Sequence, residues 1–314
     1  MNDEIDPEII EARKLRAPIL AGVDLANMPP PQAREVADRS QMVFNDGKPD
    51  LDRAEDLYAP GPGGPIRARI YQPADARTDA SIFYVHGGGW FASNVDTHDR
   101  LLRSLARASG MAILAFDFRL SPECPYPAPL DDTRAVWRWL HDNATALQIP
   151  VGKVVAAGDS AGGNLALALA IDQRDAAGPT PVGLALFYAP FAPGLKTRSR
   201  EAYGHPRFGL TGRQMDWYWS NYLGAGSFDN PPALAAPLYA DLAGLPPIYL
   251  GVPECDVVAD DSRLLADRLR DAGVPAQLEV WPRGAHGMLQ MTRDVQIARD
   301  AIASIAAAIQ RFTA

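Results

Sequence analysis

A serine hydroxyl attacks a carbonyl carbon only when a neighbouring base takes its proton. Ser160 stands in Gly158-Asp159-Ser160-Ala161-Gly162, a G-x-S-x-G pattern that holds a serine on a sharp turn between a strand and a helix. The strand-like Lys153–Ala157 precedes it and the helix-forming run from Ala161 follows, so the pentapeptide has the context it needs. Five histidines could supply the base. His98 and His141 lie in helical stretches beside Asp99 and Asp142, where a surface role is expected, and His205 falls in a strand-free segment. His86 opens a glycine run and is expected to tie that loop together rather than to act as a base. His286, in Pro282-Arg283-Gly284-Ala285-His286-Gly287, follows the last strand-like run directly. An imidazole base needs a carboxylate to fix its tautomer. Asp256 comes just after the apolar run Pro247–Val252, while Glu254, Asp260 and Asp261 have structural explanations, the last two as openers of a helix.

The second group is His86-Gly87-Gly88-Gly89-Trp90, immediately after Ile82–Val85. Consecutive glycines leave backbone N–H groups unshielded, and such donors stabilise the oxyanion of a tetrahedral intermediate. Neither glycine-rich phosphate-binding pattern can be read anywhere near it, which argues against a nucleotide role.

These residues need elements to gather them. Short runs that are apolar on both faces (Ala80–Val85, Met111–Phe116, Val154–Ala157, Val182–Tyr188, Pro247–Val252) alternate with helical patterns, which predicts an α/β protein with a mainly parallel central sheet covered by helices on both faces. The turn formers Gly61 to Pro65 between two strand-like runs predict an antiparallel hairpin at the N-terminal side of the sheet. In such a sheet the carboxyl ends of the strands share one edge, where sites form. Ser160, Asp256 and His286 all follow strand-like runs. Residues 1–50 and 191–230 break the rhythm, and the second reads as a functional lid.

Composition removes other classes. The 314 residues carry 47% hydrophobic and 22% charged side chains, so disorder is out, and a net charge of −8 disfavours nucleic acid as a partner. The acidic opening Met1 to Asp6 does not read as a secretory signal. No apolar run reaches the length of a membrane span, and two cysteines cannot make a disulfide scaffold. A cytoplasmic protein is expected.

Taken together with Asp117-Phe118-Arg119-Leu120-Ser121-Pro122-Glu123, Pro127-Ala128 and Asp132, these motifs resemble the hormone-sensitive-lipase-like family of α/β-hydrolase carboxylesterases over about residues 80–290. The resemblance implies the α/β-hydrolase fold plus a helical cap, with residues 1–50 and 191–230 forming the cap and 51–190 with 231–314 the catalytic domain. It implies Ser160 as nucleophile, His286 as general base and acid, and Asp256 as its orienter. The oxyanion hole would come from the backbone N–H groups of Gly88, Gly89 and Ala161. The expected reaction is hydrolysis of short- to medium-chain hydrophobic carboxylic esters through an acyl-enzyme, with no organic cofactor and no metal. Trp90, Phe91, Trp217 and Met288 are expected to contact substrate. Phe118, Ser121 and Met288 depart from the family's usual residues, and Arg119, Glu123 and Asp132 are expected to form a structural charge network. Cys255 is expected to be an inert buried thiol. The motifs leave open a lactone, amide or carbamate hydrolase, or an inactive small-molecule receptor on the same fold. The last strand-like run, Gln277–Trp281, would permit a homodimer as well as a monomer.

Overall fold

Strands whose side chains are apolar on both sides must be buried on both sides, and four of them form the centre of the sheet. The computed structural model describes residues 4–224 and 228–314. The chain opens with helices α1 (Pro7–Lys14), α2 (Ala17–Leu20) and α3 (Pro30–Met42), and no strand occurs among the described residues before Arg53. Asp6 caps α1 by accepting from the Glu8 amide, with Pro7 at the first helical position. The hairpin is β1 (Arg53–Gly61) and β2 (Gly64–Gln72), longer at each end than the residue pattern predicts. Then follow β3 (Ala80–Val85), α4 (Asp99–Ser109), β4 (Ala112–Phe116), α5 (Ala128–Asp142), α6 (Ala144–Leu147), β5 (Lys153–Asp159), α7 (Ala161–Asp175) and β6 (Gly183–Phe187).

The segment after β6 contributes α8 (Arg198–Tyr203) and α9 (Gly212–Leu223), the latter started by a Thr211/Gln214 capping box. Residues 225–227, inside the expected lid, lie outside the described residues. The chain returns to the sheet with β7 (Ile248–Cys255), α10 (Ala259–Asp271), β8 (Ala276–Ala285) and α11 (Gln296–Phe312).

The strand order is β1-β2-β4-β3-β5-β6-β7-β8 in one eight-stranded sheet. The pairs β1/β2 and β2/β4 are antiparallel and every pair from β4 to β8 is parallel. This is the mainly parallel sheet with an antiparallel hairpin that the residue pattern predicts. Helices α4 and α11 cover one face, and α5, α7 and α10 the other. β3, β4 and β6 are buried along their whole length, as is β5 after Lys153. Phe83 stacks edge-on against Trp137 at 5.1 Å and lies 5.2 Å from Phe116, which ties α5 to the sheet centre. β8 forms one edge, with Leu278 and Val280 exposed. No helix among the described residues is long and apolar enough to cross a membrane.

The motif Asp117 to Asp132 follows β4, and Arg119, Glu123 and Asp132 enter two separate pairs rather than one network. Asp132 is buried and holds both the Arg119 guanidinium and the Arg119 amide. Glu123 turns away to pair with Arg34 of α3 at 2.7 Å, which joins the N-terminal helices to the sheet domain.

The β5–α7 turn is pressed closely against the end of β3. A methyl group added at Gly162 would lie 2.0 Å from the Val85 carbonyl oxygen, which is backbone and cannot yield. Gly→Ala inside a helix normally stabilises by about 1 kcal/mol. In Gly162→Ala the sign is expected to reverse, to a loss of about 1–3 kcal/mol, seen as a lower midpoint in urea unfolding.

Candidate active site

The residues with chemistry converge where the parallel strands end. Ser160 follows β5 and precedes α7 with φ 51° and ψ −125°. Its amide donates to the Phe187 carbonyl at 2.9 Å, which holds this strained turn in place. Asp256 follows β7 just past a register shift at Pro253/Cys255, and His286 follows β8. Ser160 Oγ lies 3.0 Å from His286 Nε2, and His286 Nδ1 lies 2.8 Å from Asp256 Oδ2. The other carboxylate oxygen of Asp256 accepts from the Val258 amide at 3.1 Å. Asp256 is buried, so both of its oxygens find donors away from water. The three side chains, distant in sequence, form one hydrogen-bonded row.

The glycine loop after β3 sits beside this row. Gly88 has φ 116° and Gly89 φ 64°, backbone conformations that side chains resist. Among the described residues the amides of Gly88, Gly89 and Ala161 donate to no protein group. Three unpaired N–H groups next to a serine can bind a developing oxyanion.

Asp159 binds this loop to the nucleophile turn. Its Oδ1 accepts from the Gly87 amide at 3.0 Å and from the Tyr84 hydroxyl at 2.9 Å, and the His98 imidazole contacts it at 3.3 Å. Burial works to raise this carboxyl, but the neighbouring His98 and the Tyr84 and Gly87 hydrogen bonds hold it below the ordinary range. His98 is therefore buried rather than at the surface, as its helical context had implied. His141 is half-buried against the edge of Trp137, also contrary to expectation, while His205 is exposed.

His86 ties the loop as expected. Its Nδ1 approaches the Gly87 carbonyl at 2.7 Å, so that nitrogen carries the proton and donates, and its ring stacks on Phe118 at 4.4 Å.

Asp260 and Asp261 do more than open α10. Asp260 accepts from the Ser199 amide and Asp261 from the Phe191 amide, which fastens the segment after β6 to the sheet domain. Burial raises the Asp261 carboxyl to about 7.

A cavity of about 790 Å³ opens onto Ser160 and His286, with walls from the N-terminal helices and from the segment after β6. Trp217 lines it, packed 4.7 Å from Phe91. Trp90 borders it, but its indole stacks on Tyr222 at 4.2 Å and packs at a tilt against Trp219 at 4.6 Å. Phe91 and Met288, expected at the substrate, do not border the cavity. Phe91 lies under Trp217 with Ala33, and Met288 is buried in the turn after His286, under Gly284. The lining also includes Arg13, Arg16, Arg213 and Tyr218, which the residue reading missed. Arg13 lies in the last turn of α1 and Arg16 caps α2, and no local pattern marks either as facing a cavity. Among the described residues no group of three or more His, Cys, Asp or Glu side chains could hold a metal ion.

A family model described as the alpha/beta hydrolase fold matches residues 82–290. The chain is 37% identical over 242 residues to the carboxylic ester hydrolase LipN of Mycobacterium tuberculosis, covering 75% of this chain and 64% of that protein. It is 35% identical over 251 residues to an acetyl esterase of Salmonella paratyphi B, covering 77% of this chain and 75% of that one. It thus spans just under two thirds of the first relative's length. Among solved structures, an esterase of Pyrobaculum calidifontis superposes with TM-score 0.89 at 33% identity, over 98% of both chains. An esterase from the bacterial hormone-sensitive lipase family superposes with TM-score 0.83 at 28% identity, over 98% of this chain and 99% of that one.

Burial, with His98 beside it, drives the His86 imidazole from 6.5 down to about 3. The unfolded chain binds a proton there near 6.5 and the folded chain does not until about 3, so acidification through this window favours unfolding. The His86 ring is expected to keep its neutral Nδ1–H tautomer from pH 8 to pH 4 in ¹H–¹⁵N correlation spectra. A signal that titrates near 6.5 would show that the ring is not held this way.

Proposed function

The chain belongs to the α/β-hydrolase family, in its hormone-sensitive-lipase-like branch of carboxylic-ester hydrolases, and we propose that Ser160 is its nucleophile, His286 its general base and acid, and Asp256 the carboxylate that orients His286. The observation that carries this reading is the hydrogen-bonded row of 3.0 Å and 2.8 Å through the two nitrogens of His286. With Nδ1–H directed at Asp256, Nε2 presents its lone pair to the serine hydroxyl, which is the tautomer a general base needs.

As Ser160 Oγ forms its bond to the ester carbonyl carbon, its proton passes to His286 Nε2. The carbonyl oxygen becomes an oxyanion held by the Gly88, Gly89 and Ala161 amides. Asp256, fixed by the Val258 amide, stabilises the imidazolium without taking its proton. Nε2 then protonates the departing alcohol, and the acyl group stays on Ser160. Water, deprotonated by the same nitrogen, attacks the acyl-enzyme, and the acid leaves as the bond to Ser160 Oγ breaks and Nε2 returns the proton to that oxygen. The bare loop amides are pre-oriented because Asp159 and His86 fix Gly87 on both sides.

The described residues of 1–50 and 191–230 act as the cap over the pocket. The apolar walls around Trp217, Leu20, Val23 and Met215 suit the acyl chain of a small ester. The cavity's volume of about 790 Å³ has room for short and medium chains. That the similar protein in Salmonella is an acetyl esterase supports short acyl groups.

Ser160→Ala is expected to lower kcat on p-nitrophenyl butyrate by at least about 10³-fold with an unchanged unfolding midpoint. Near-normal turnover by a folded Ser160→Ala would remove Ser160 as nucleophile. The butyrate ester is also expected to exceed the palmitate ester in kcat/KM by roughly tenfold or more, a margin of about 1.4 kcal/mol. Equal rates would contradict a pocket that limits chain length.

A further inference from the structure

The cavity carries cations that the proposed ester chemistry does not use. Arg16 lines it from the N-terminal helices, largely withdrawn from bulk water, and its guanidinium makes no hydrogen bond or ion pair with any described residue. Burial lowers its pKa, and the Tyr218 phenol acts against that. Tyr218 lies on α9, and its own hydroxyl has no hydrogen-bond partner among the described residues. Its ring lies directly over Gly89, since a methyl group built there would meet Tyr218 Cδ1 at 2.4 Å. The oxyanion loop, the tyrosine ring laid over it and Arg16 therefore all border one cavity.

The neighbouring charges leave Arg16 uncompensated. Arg13, close enough to repel it, donates to the carbonyls of Phe208 at 3.0 Å and His286 at 3.4 Å. Arg213 borders the same space from α9 and forms no ion pair among the described residues. Two carboxylates border the cavity, and both are committed. Asp24 accepts from the Ala26 amide and the Asn27 side chain, and Asp159 holds the oxyanion loop. A guanidinium drawn out of water is costly unless an anion joins it, and its planar donors match a carboxylate. In a chain with net charge −8 this unmatched positive wall is local to the pocket.

We infer that the pocket takes esters that carry a second, anionic group, a carboxylate held by Arg16 and the Tyr218 hydroxyl while the ester carbonyl lies against Gly88 and Gly89. This rests on the serine-esterase reading above and names the substrate class within it. Because Arg16 and Tyr218 border the same cavity as the glycine loop, a short dicarboxylic monoester or the acyl ester of a small hydroxy acid carries both groups the wall would hold.

Two matched pairs test this. Monoethyl succinate against diethyl succinate places the charge on the acyl side, and O-acetylglycolate against its ethyl ester places it on the alcohol side. The anionic member of at least one pair is expected to exceed its neutral partner in kcat/KM by about tenfold or more at low ionic strength, with the margin shrinking as salt is added. Arg16→Met is expected to reduce kcat/KM for that anionic ester about 10- to 100-fold more than for its neutral partner, chiefly through KM, with Arg16→Lys recovering part of the loss. No preference for either anionic ester in the unaltered protein, which needs no variant to fold, would overturn the inference. Ser160-dependent turnover of the neutral esters without that preference leaves the serine-esterase reading standing and removes the inference alone. Equal turnover by Ser160→Ala, or none by the unaltered protein, removes both.

Discussion

Everything at the site depends on how closely the turn after β5 is pressed against the end of β3. Gly162 leaves no room for even a methyl group beside the Val85 carbonyl, and Asp159 spans the same gap to the Gly87 amide. One contact therefore places the serine and the bare loop amides relative to each other. Its two halves are chemically different. The Gly162 approach is steric and holds only while the backbone is unsubstituted. The Asp159 bridge is electrostatic, a buried carboxylate with donors from Tyr84 and Gly87, and such a group is expensive to strip of any one of them.

The remaining side chains arrive through sheet polarity. β5, β7 and β8 run parallel, so the residues that follow each strand emerge at the same edge. Asp256 and His286 come from adjacent strands and meet across one spacing, while Ser160 comes from two strands further in. His286 bridges that distance because β8 runs on to Ala285 and delivers the ring directly above the β5 turn. The helices that cover the cavity are fastened to this frame by polar contacts: Arg34 to Glu123, Asp260 to Ser199 and Asp261 to Phe191.

Much of this could be read in the residues, for physical reasons. The doubly apolar runs at 80–85, 111–116 and 182–188 could only be central strands, and the fold class follows from their alternation with helices. Ser160, Asp256 and His286 stood out because each follows a strand-like run, and the structure brings their side chains into one row. Pairing across space was harder to see. His98 has the helical and acidic neighbours of a surface residue, yet tertiary packing carries it inward to Asp159. Glu123 seemed a partner for Arg119 and Asp132 by proximity in sequence, but Arg34, far away in the chain, takes it. Aromatic or large side chains next to motif residues looked like substrate contacts, and Phe91 and Met288 instead fill space beneath the wall. The arginines of the pocket were invisible because nothing local distinguishes a cation facing a cavity from one facing solvent.

Reaction with an alkyl fluorophosphonate, followed by peptide mass spectrometry, probes the hydrogen-bonded row without requiring knowledge of the natural substrate. A serine activated by His286 beside free backbone donors will take up a single phosphonyl group, found on the peptide that contains Ser160, in step with the loss of ester hydrolysis. An adduct on a different residue, or full inactivation with Ser160 unmodified, would contradict the assignment of this serine as the nucleophile.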